Sequence, residues 1–206
     1  MLNELIERYP VLTGIKDELE KASELMYKTV KDGGKILLCG NGGSCADCDH
    51  IAGELMKGFL LKREIDKDFK EVLEKEYPDE AKYFSENLQG GIPAISLVSH
   101  GAVLSAFAND VSADMVYAQL VHACGKKGDL LIGLSTSGNS KNVVNAIKIA
   151  KAKGLYTLGL TGERKCALDM CDVTLKAPET ETFKVQELHL PIYHYLCAKL
   201  EADMFM

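Results

Sequence analysis

The chain has 206 residues, enough for one α/β domain with a full hydrophobic core. Its composition, 47% hydrophobic and 26% charged, is that of an ordinary globular protein. A net charge of −6 argues against a nucleic-acid binder relying on a basic surface, and no apolar run is long enough to span a bilayer.

Residues 1–8 are acidic and amphipathic, unlike a signal peptide, so the chain is expected to be cytoplasmic. Residues 3–9 and 15–32 read as helices. Ile15, Leu19, Ala22, Leu25 and Met26 form an apolar stripe on the second, and Gly33 and Gly34 stop it. This helix precedes the first strand, so its apolar face must pack on the outside of the domain or on another subunit. A homo-oligomer with the helix between subunits is the expectation.

Residues 35–39 are an apolar run of strand length, followed by Gly40, Asn41, Gly42, Gly43 and Ser44. Helical spacing resumes through Ile51, Leu55 and Phe59, which predicts a helix over 43–60. Glycines let the backbone turn sharply and approach a ligand, and Ser44 is placed to cap the helix with its hydroxyl. A strand, a glycine turn and a helix N-terminus together make an anion pocket. The same turn more often serves as plain strand-to-helix connection. On this helix His50 and Glu54, four residues apart, share a face and suit a borderline metal or an acid–base pair.

Residues 62–90 are dense in Lys, Glu and Asp with apolar residues interleaved, and read as one or two solvated surface helices broken near Pro78. A second strand is expected over 93–98, then helices over 101–108 and 112–125, with Asn109 and Asp110 as a turn or cap between them. The third strand, 129–134, is nearly all apolar and so buried on both faces. It runs into Ser135, Thr136, Ser137, Gly138, Asn139 and Ser140, then a helix to about 153. Capping needs one hydroxyl; four at a strand-to-helix turn point to a phosphate cradle that needs no lysine. Neither the P-loop order nor the dinucleotide fingerprint is present. A fourth strand at 155–160, a short helix at 166–170 and a fifth strand at 172–177 follow. The last helix, 181–204, carries Gln186, His189, Pro191 and His194, and Pro191 is expected to kink or break it.

Strands alternating with helices give a parallel sheet covered on both faces, with ligands at the carboxyl ends of the strands. That puts the glycine turn and the serine loop on one rim. The seven cysteines are scattered and odd in number, which reads as reduced, mostly buried thiols. Cys45 and Cys48 are formally a C-x-x-C, but nothing nearby completes a metal or redox motif.

Taken together, the 40–44 turn, His50 with Glu54, the 135–140 loop, and Gln186 with His194 resemble the sugar isomerase (SIS) domain proteins. Within that family they are most similar to the bacterial phosphoheptose isomerases, which interconvert sedoheptulose 7-phosphate and D-glycero-D-manno-heptose 7-phosphate. The resemblance covers nearly the whole chain in order. It implies a single SIS domain over 1–206: a three-layer αβα sandwich around a five-stranded, flavodoxin-like parallel sheet, with N-terminal helices at 1–34 and a charged helical insertion at 62–90. It also implies a homotetramer with sites at subunit contacts, and neither a nucleic-acid nor a membrane partner.

For the site, the resemblance implies that Asn41, Gly42, Gly43 and Ser44 line the substrate pocket. Asn109 and Asp110 would contact the sugar, while Ser135, Thr136, Ser137 and Ser140 hold its phosphate. His50, Glu54, Gln186 and His194 would surround a zinc ion, with Glu54 and His194 also moving protons and Glu54 and Gln186 facing the substrate. A carboxylate on an apolar helix face is expected to have a raised pKa, which would suit Glu54 as the base. Three features depart from the family pattern: the length of 62–90, a slightly longer loop over 98–109 that resembles a sister branch, and Phe183 where an acidic residue usually stands three positions before the glutamine. The rival reading is a non-catalytic phosphosugar-binding adaptor, similar to the replication-initiator-associating SIS protein. That protein lacks the acid on the first site helix, so Glu54 favours the enzyme.

Overall fold

The computed structural model describes residues 1–206 and contains five parallel strands in the order β2-β1-β3-β4-β5. These are β1 (Ile36–Gly40), β2 (Ala94–Ser96), β3 (Leu130–Leu134), β4 (Tyr156–Gly162) and β5 (Val173–Ala177). The nine α-helices are α1 (Leu2–Arg8), α2 (Lys16–Lys31), α3 (Gly43–Met56), α4 (Lys67–Glu76), α5 (Ala81–Asn87), α6 (Gly101–Phe107), α7 (Val116–Cys124), α8 (Lys141–Ala152) and α9 (Thr182–Phe205). The strand order is the flavodoxin-like one, and its direction reverses between β1 and β3, the place where such sheets bind ligands. Both glycine turn and serine loop leave the sheet there, because β1 and β3 pair in register from Ile36–Leu130 to Gly40–Leu134.

Alternation along the strands divides the core into two layers. Ile36, Leu38, Leu130, Ile132, Leu158 and Leu160 face α2, α3 and α9. Leu37, Cys39 and Leu131 face α7 and α8. Every residue of β1 and β3 is buried, as strands covered on both faces require.

Several elements differ from the sequence expectations. The apolar stripe of α2 needs no second subunit: Leu19, Ala22 and Met26 are fully buried within the chain, in the layer shared with α9. Helix α3 ends at Met56, not near 60, and Lys57 is extended (φ −131°, ψ 172°). The cause is a fully buried ion pair. Arg63 donates to the carbonyls of Leu55 (2.6 Å) and Glu54 (3.0 Å), filling the C-terminal end of α3. Glu201 accepts from Arg63 Nε and from the backbone N–H groups of Phe59, Leu60 and Leu61. Ser44 is not the cap of α3. Gly42 occupies that position at φ +57°, while Ser44 lies one turn position inside the helix, buried. Helix α9 runs through Pro191 without a break, because burial of Ile192, Tyr193, Leu196 and Leu200 outweighs the one missing backbone bond. Asn109 and Asp110 sit in a π-helical turn, Ala108–Ser112, that continues α6, in place of a simple turn. The insertion forms α4 and α5 on either side of Pro78 and, besides Arg63, buries a small cluster of Ile65, Leu73 and Ala81.

Candidate functional site

At the end of β3 the hydroxyls of the serine loop converge on one another. Ser135 Oγ lies 3.0 Å from Ser140 Oγ and 3.5 Å from Ser137 Oγ, and Ser137 Oγ accepts the Asn139 N–H at 3.2 Å. Gly138 makes the turn at φ +65°, and a Cβ there would stand 2.2 Å from Cys166 Sγ, so no other residue fits without rearrangement. The Thr136 carbonyl accepts the Gly162 N–H, which ties the loop to β4. No side-chain hydroxyl caps α8, although Ser140 is its N-terminal flanking residue. The hydroxyls thus exceed what the helix uses.

The glycine turn is joined to this loop. Asn41 and Asn142 exchange two amide bonds, each 2.9 Å, across the β1–β3 boundary. Buried Tyr117 donates to the Gly40 carbonyl at 2.6 Å. On the other side, α9 lays Gln186 on the turn: a Cβ at Gly43 would meet Gln186 Nε2 at 2.4 Å. The contacts therefore run without a gap from Gln186 through Gly43, Asn41 and Asn142 to the serine loop.

The third group joins α3 to α9. His50 Nε2 is 3.2 Å from Glu54 Oε1 and 3.4 Å from His194 Nε2. Tyr193 Oη stands 3.0 Å from His50 Nδ1 and donates to Asp47 Oδ1 at 3.2 Å. Phe59 packs on the His194 ring with centroids 5.6 Å apart. Lys57 Nζ donates to Glu54 Oε2 at 2.8 Å. Partial burial disfavours the charge on Glu54, but the Lys57 ammonium bonded to its other oxygen opposes this, and the carboxyl lies below its ordinary range. That reverses the expectation of a raised value: the apolar surroundings are real, and the cation at the open end of α3 wins. Burial, with His50 alongside, lowers the pKa of His194. Burial raises that of Asp47.

The fold thus brings together Asn41, Gly42, Gly43, the serine loop and Gln186 on one side, and His50, Glu54 and His194 on the other. It does not join Asn109 and Asp110 to them. These two are exposed, and Asn109 donates to its neighbour Asp110 at 2.8 Å. Gln186 makes no hydrogen bond to His50, Glu54 or His194. No three His, Cys, Asp or Glu side chains form a closed metal-binding group, since the contacts make an open chain Glu54–His50–His194. Phe183, where the acidic residue was expected, is 56% exposed on the first turn of α9, its ring beside Lys184. Sequence reasoning missed Asp47, Lys57, Tyr117, Asn142 and Tyr193. Asp47 and Lys57 had a signal, lying three residues before His50 and three after Glu54 on the expected helix; the others are recognised only by what they touch.

The chain matches the SIS domain family model over residues 10–77 and 81–162. It is 37% identical over 195 residues to a phosphoheptose isomerase of Aliarcobacter butzleri, covering 94% of this chain and 89% of the relative. It is 36% identical to phosphoheptose isomerase 2 of Campylobacter jejuni, covering 93% and 85%. Among solved structures, the phosphoheptose isomerase of Neisseria gonorrhoeae superposes with a TM-score of 0.75 at 30% identity, covering 97% of this chain and 94% of that one. That of Francisella tularensis gives 0.78 at 25% identity, covering 95% and 91%. The chain belongs to the SIS domain family and, within it, to the phosphoheptose isomerases.

Proposed function

We propose that the chain is an aldose–ketose isomerase acting on sedoheptulose 7-phosphate and D-glycero-D-manno-heptose 7-phosphate. The observation that carries the chemistry is the convergence of Glu54, His50 and His194 beside a glycine turn continuous with a hydroxyl cradle. Ser135, Thr136, Ser137 and Ser140 hold the phosphate, aided by backbone N–H groups at the start of α8. Asn41, Gly42, Gly43, Ser44 and Gln186 border the sugar, whereas Asn109 and Asp110 stand apart from them within the chain.

The reaction moves a proton between C1 and C2 through an enediol. Glu54, held ionised by Lys57, takes the carbon-bound proton and returns it to the neighbouring carbon. His194, kept largely neutral by burial, carries the hydroxyl proton. Because Lys57 weakens Glu54 as a base, the substrate carbonyl must be polarised for the carbon acid to yield its proton.

Two imidazole nitrogens and a carboxylate are donors of the kinds that zinc takes, and His50, Glu54 and His194, with separations of 3.2 and 3.4 Å along the chain Glu54–His50–His194, are the residues that would hold one; Gln186 stands apart from them, on the glycine turn. When bound, the ion would act as a Lewis acid on the carbonyl oxygen. The open arrangement of the donors favours a labile ion.

We take residues 1–206 as one SIS domain, working as a homotetramer. An apolar groove of about 490 Å³ beside His194, lined by Phe59, Leu60, Leu190 and Tyr195 among others, supports a subunit contact next to the site. No helix is long and apolar enough to cross a membrane, and seven free cysteines suit a reducing cytoplasm. The adaptor reading keeps the serine loop but leaves Glu54, His50 and His194 without a task. Incubation with sedoheptulose 7-phosphate in deuterated water, read by NMR with fructose 6-phosphate as comparison, should show heptose product and deuterium at the reacting carbon. Neither product nor exchange with several sugar phosphates, with or without zinc, would leave the adaptor.

A further inference from the structure

We infer that Tyr193 and Asp47 are positioning residues that fix the ring tautomer of His50, so that its bare Nε2 faces Glu54 and His194. The phenol of Tyr193 has one proton. At 3.2 Å it meets Asp47 Oδ1; an ionised carboxylate can only accept, and as the charged acceptor it makes the stronger bond, so the proton goes there. Tyr193 Oη is also 3.0 Å from His50 Nδ1. With its proton spent on Asp47, the phenol oxygen can only accept, and Nδ1 must be the donor. In a neutral imidazole that leaves Nε2 with its lone pair exposed.

Glu54 opposes this arrangement. Its Oε1, 3.2 Å from Nε2, would draw the ring proton to that side. Two features decide the contest. Tyr193 is only 2% exposed, so its bonds act in a poorly screened interior. The Glu54 charge is shared with Lys57, which donates to its other oxygen at 2.8 Å. The relay also ties the ring mechanically, since Tyr193 meets it edge-on with centroids 5.4 Å apart. Tyr193 lies next to His194 on α9, so docking one helix both delivers His194 and sets the ring that His194 faces. A nitrogen so exposed can bind a metal or take a proton, whereas an Nε2–H can do neither. The inference therefore rests on the reading of His50 Nε2 as a ligand.

The experiment uses the full chain with ¹⁵N-labelled histidine, metal-free, at pH 8. Long-range proton–nitrogen spectra report which ring nitrogen carries hydrogen, with His50 assigned by its loss in His50→Gln. Wild type should show His50 protonated at Nδ1. Tyr193→Phe should move the proton to Nε2, weaken zinc binding roughly 10–100-fold and lower kcat with KM nearly unchanged. Asp47→Ala frees the phenol to donate to Nδ1 and should do the same, while Asp47→Asn keeps an accepting oxygen and should restore the wild-type spectrum. His50 protonated at Nε2 or at both nitrogens in the wild type, or a tautomer unmoved by both Tyr193→Phe and Asp47→Ala, would overturn the inference. A tautomer that moves as stated in a protein that binds no zinc supports the positioning role and sinks the zinc reading alone.

Discussion

The hydroxyl cradle and the histidine cluster stand at the same edge of the sheet but are built from different distances along the chain. Ser135 meets Ser140 across 5 residues, whereas His50 meets Tyr193 and His194 across 143 and 144. The hydroxyls of the cradle come from the end of β3, a turn with one left-handed glycine and the start of α8, with β4 bracing the loop. The cluster needs α9 docked on α3, and that docking is secured at its far end by Arg63 and Glu201. A local site survives small shifts of its neighbours, but an assembled one fails when either helix moves. Variants that loosen α9 should therefore separate proton transfer from phosphate binding.

The largest expected effect comes from Glu201→Ala. It strands Arg63 without its partner and frees the Phe59–Leu61 backbone donors, a loss of about 3–5 kcal/mol for a broken buried pair. Urea unfolding measures it. In whatever fraction remains folded, turnover should fall further than phosphate affinity, and equal losses would erase the distinction between the two regions.

Acid attacks the wall they share. His189 on α9 is fully buried, its Nε2 3.4 Å from the Thr161 carbonyl and its Nδ1 unpaired. Burial pushes its pKa from 6.5 down to about 4. Between those values the unfolded chain binds a proton that the folded chain does not. Stability therefore falls as pH drops through that window, by about 3 kcal/mol in all. His189→Gln should flatten this slope in urea titrations between pH 7 and 4. An unchanged slope would mean that other groups govern acid unfolding.

Glu54→Gln sharpens the contrast at the chemical step. It keeps the size of the side chain but removes the basic carboxylate. Turnover and solvent deuterium exchange should drop at least about 100-fold, the usual contribution of a general base. Sugar-phosphate affinity should hold, with metal content measured in both proteins. The smallest effect belongs to Ser137→Ala. One cradle hydroxyl lost should weaken sugar-phosphate binding by about 1–2 kcal/mol while the melting temperature barely moves. Lost stability with unchanged affinity would make the loop a cap only.

The contrast also explains what could be read in advance. The succession of strands and helices along the chain, the two loops and the pairing of His50 with Glu54 follow from short-range spacing and were legible. So was the burial of β3 on both faces, since a run such as Leu130 to Leu134 has no polar side to expose. The stripe of α2 was legible as apolar, but its partner was not: periodicity says that a face is buried, never against what. The pKa of Glu54 was misjudged for the same reason. Helix α3 stops at Met56 because Arg63 and Glu201 hold its end, and that stop lets Lys57 turn back onto the carboxylate.

By itself, then, the sequence determined the α/β alternation and the rim on which both loops stand. These depend on periodicity, glycine placement and hydroxyl spacing, all of which act over a few residues. Only the tertiary structure decided that Asn142 clasps Asn41, that Gln186 covers Gly43, and that Tyr193 and Asp47 bear on His50. Those contacts join segments separated by most of the chain, and their energies depend on burial and distance, which no local pattern encodes.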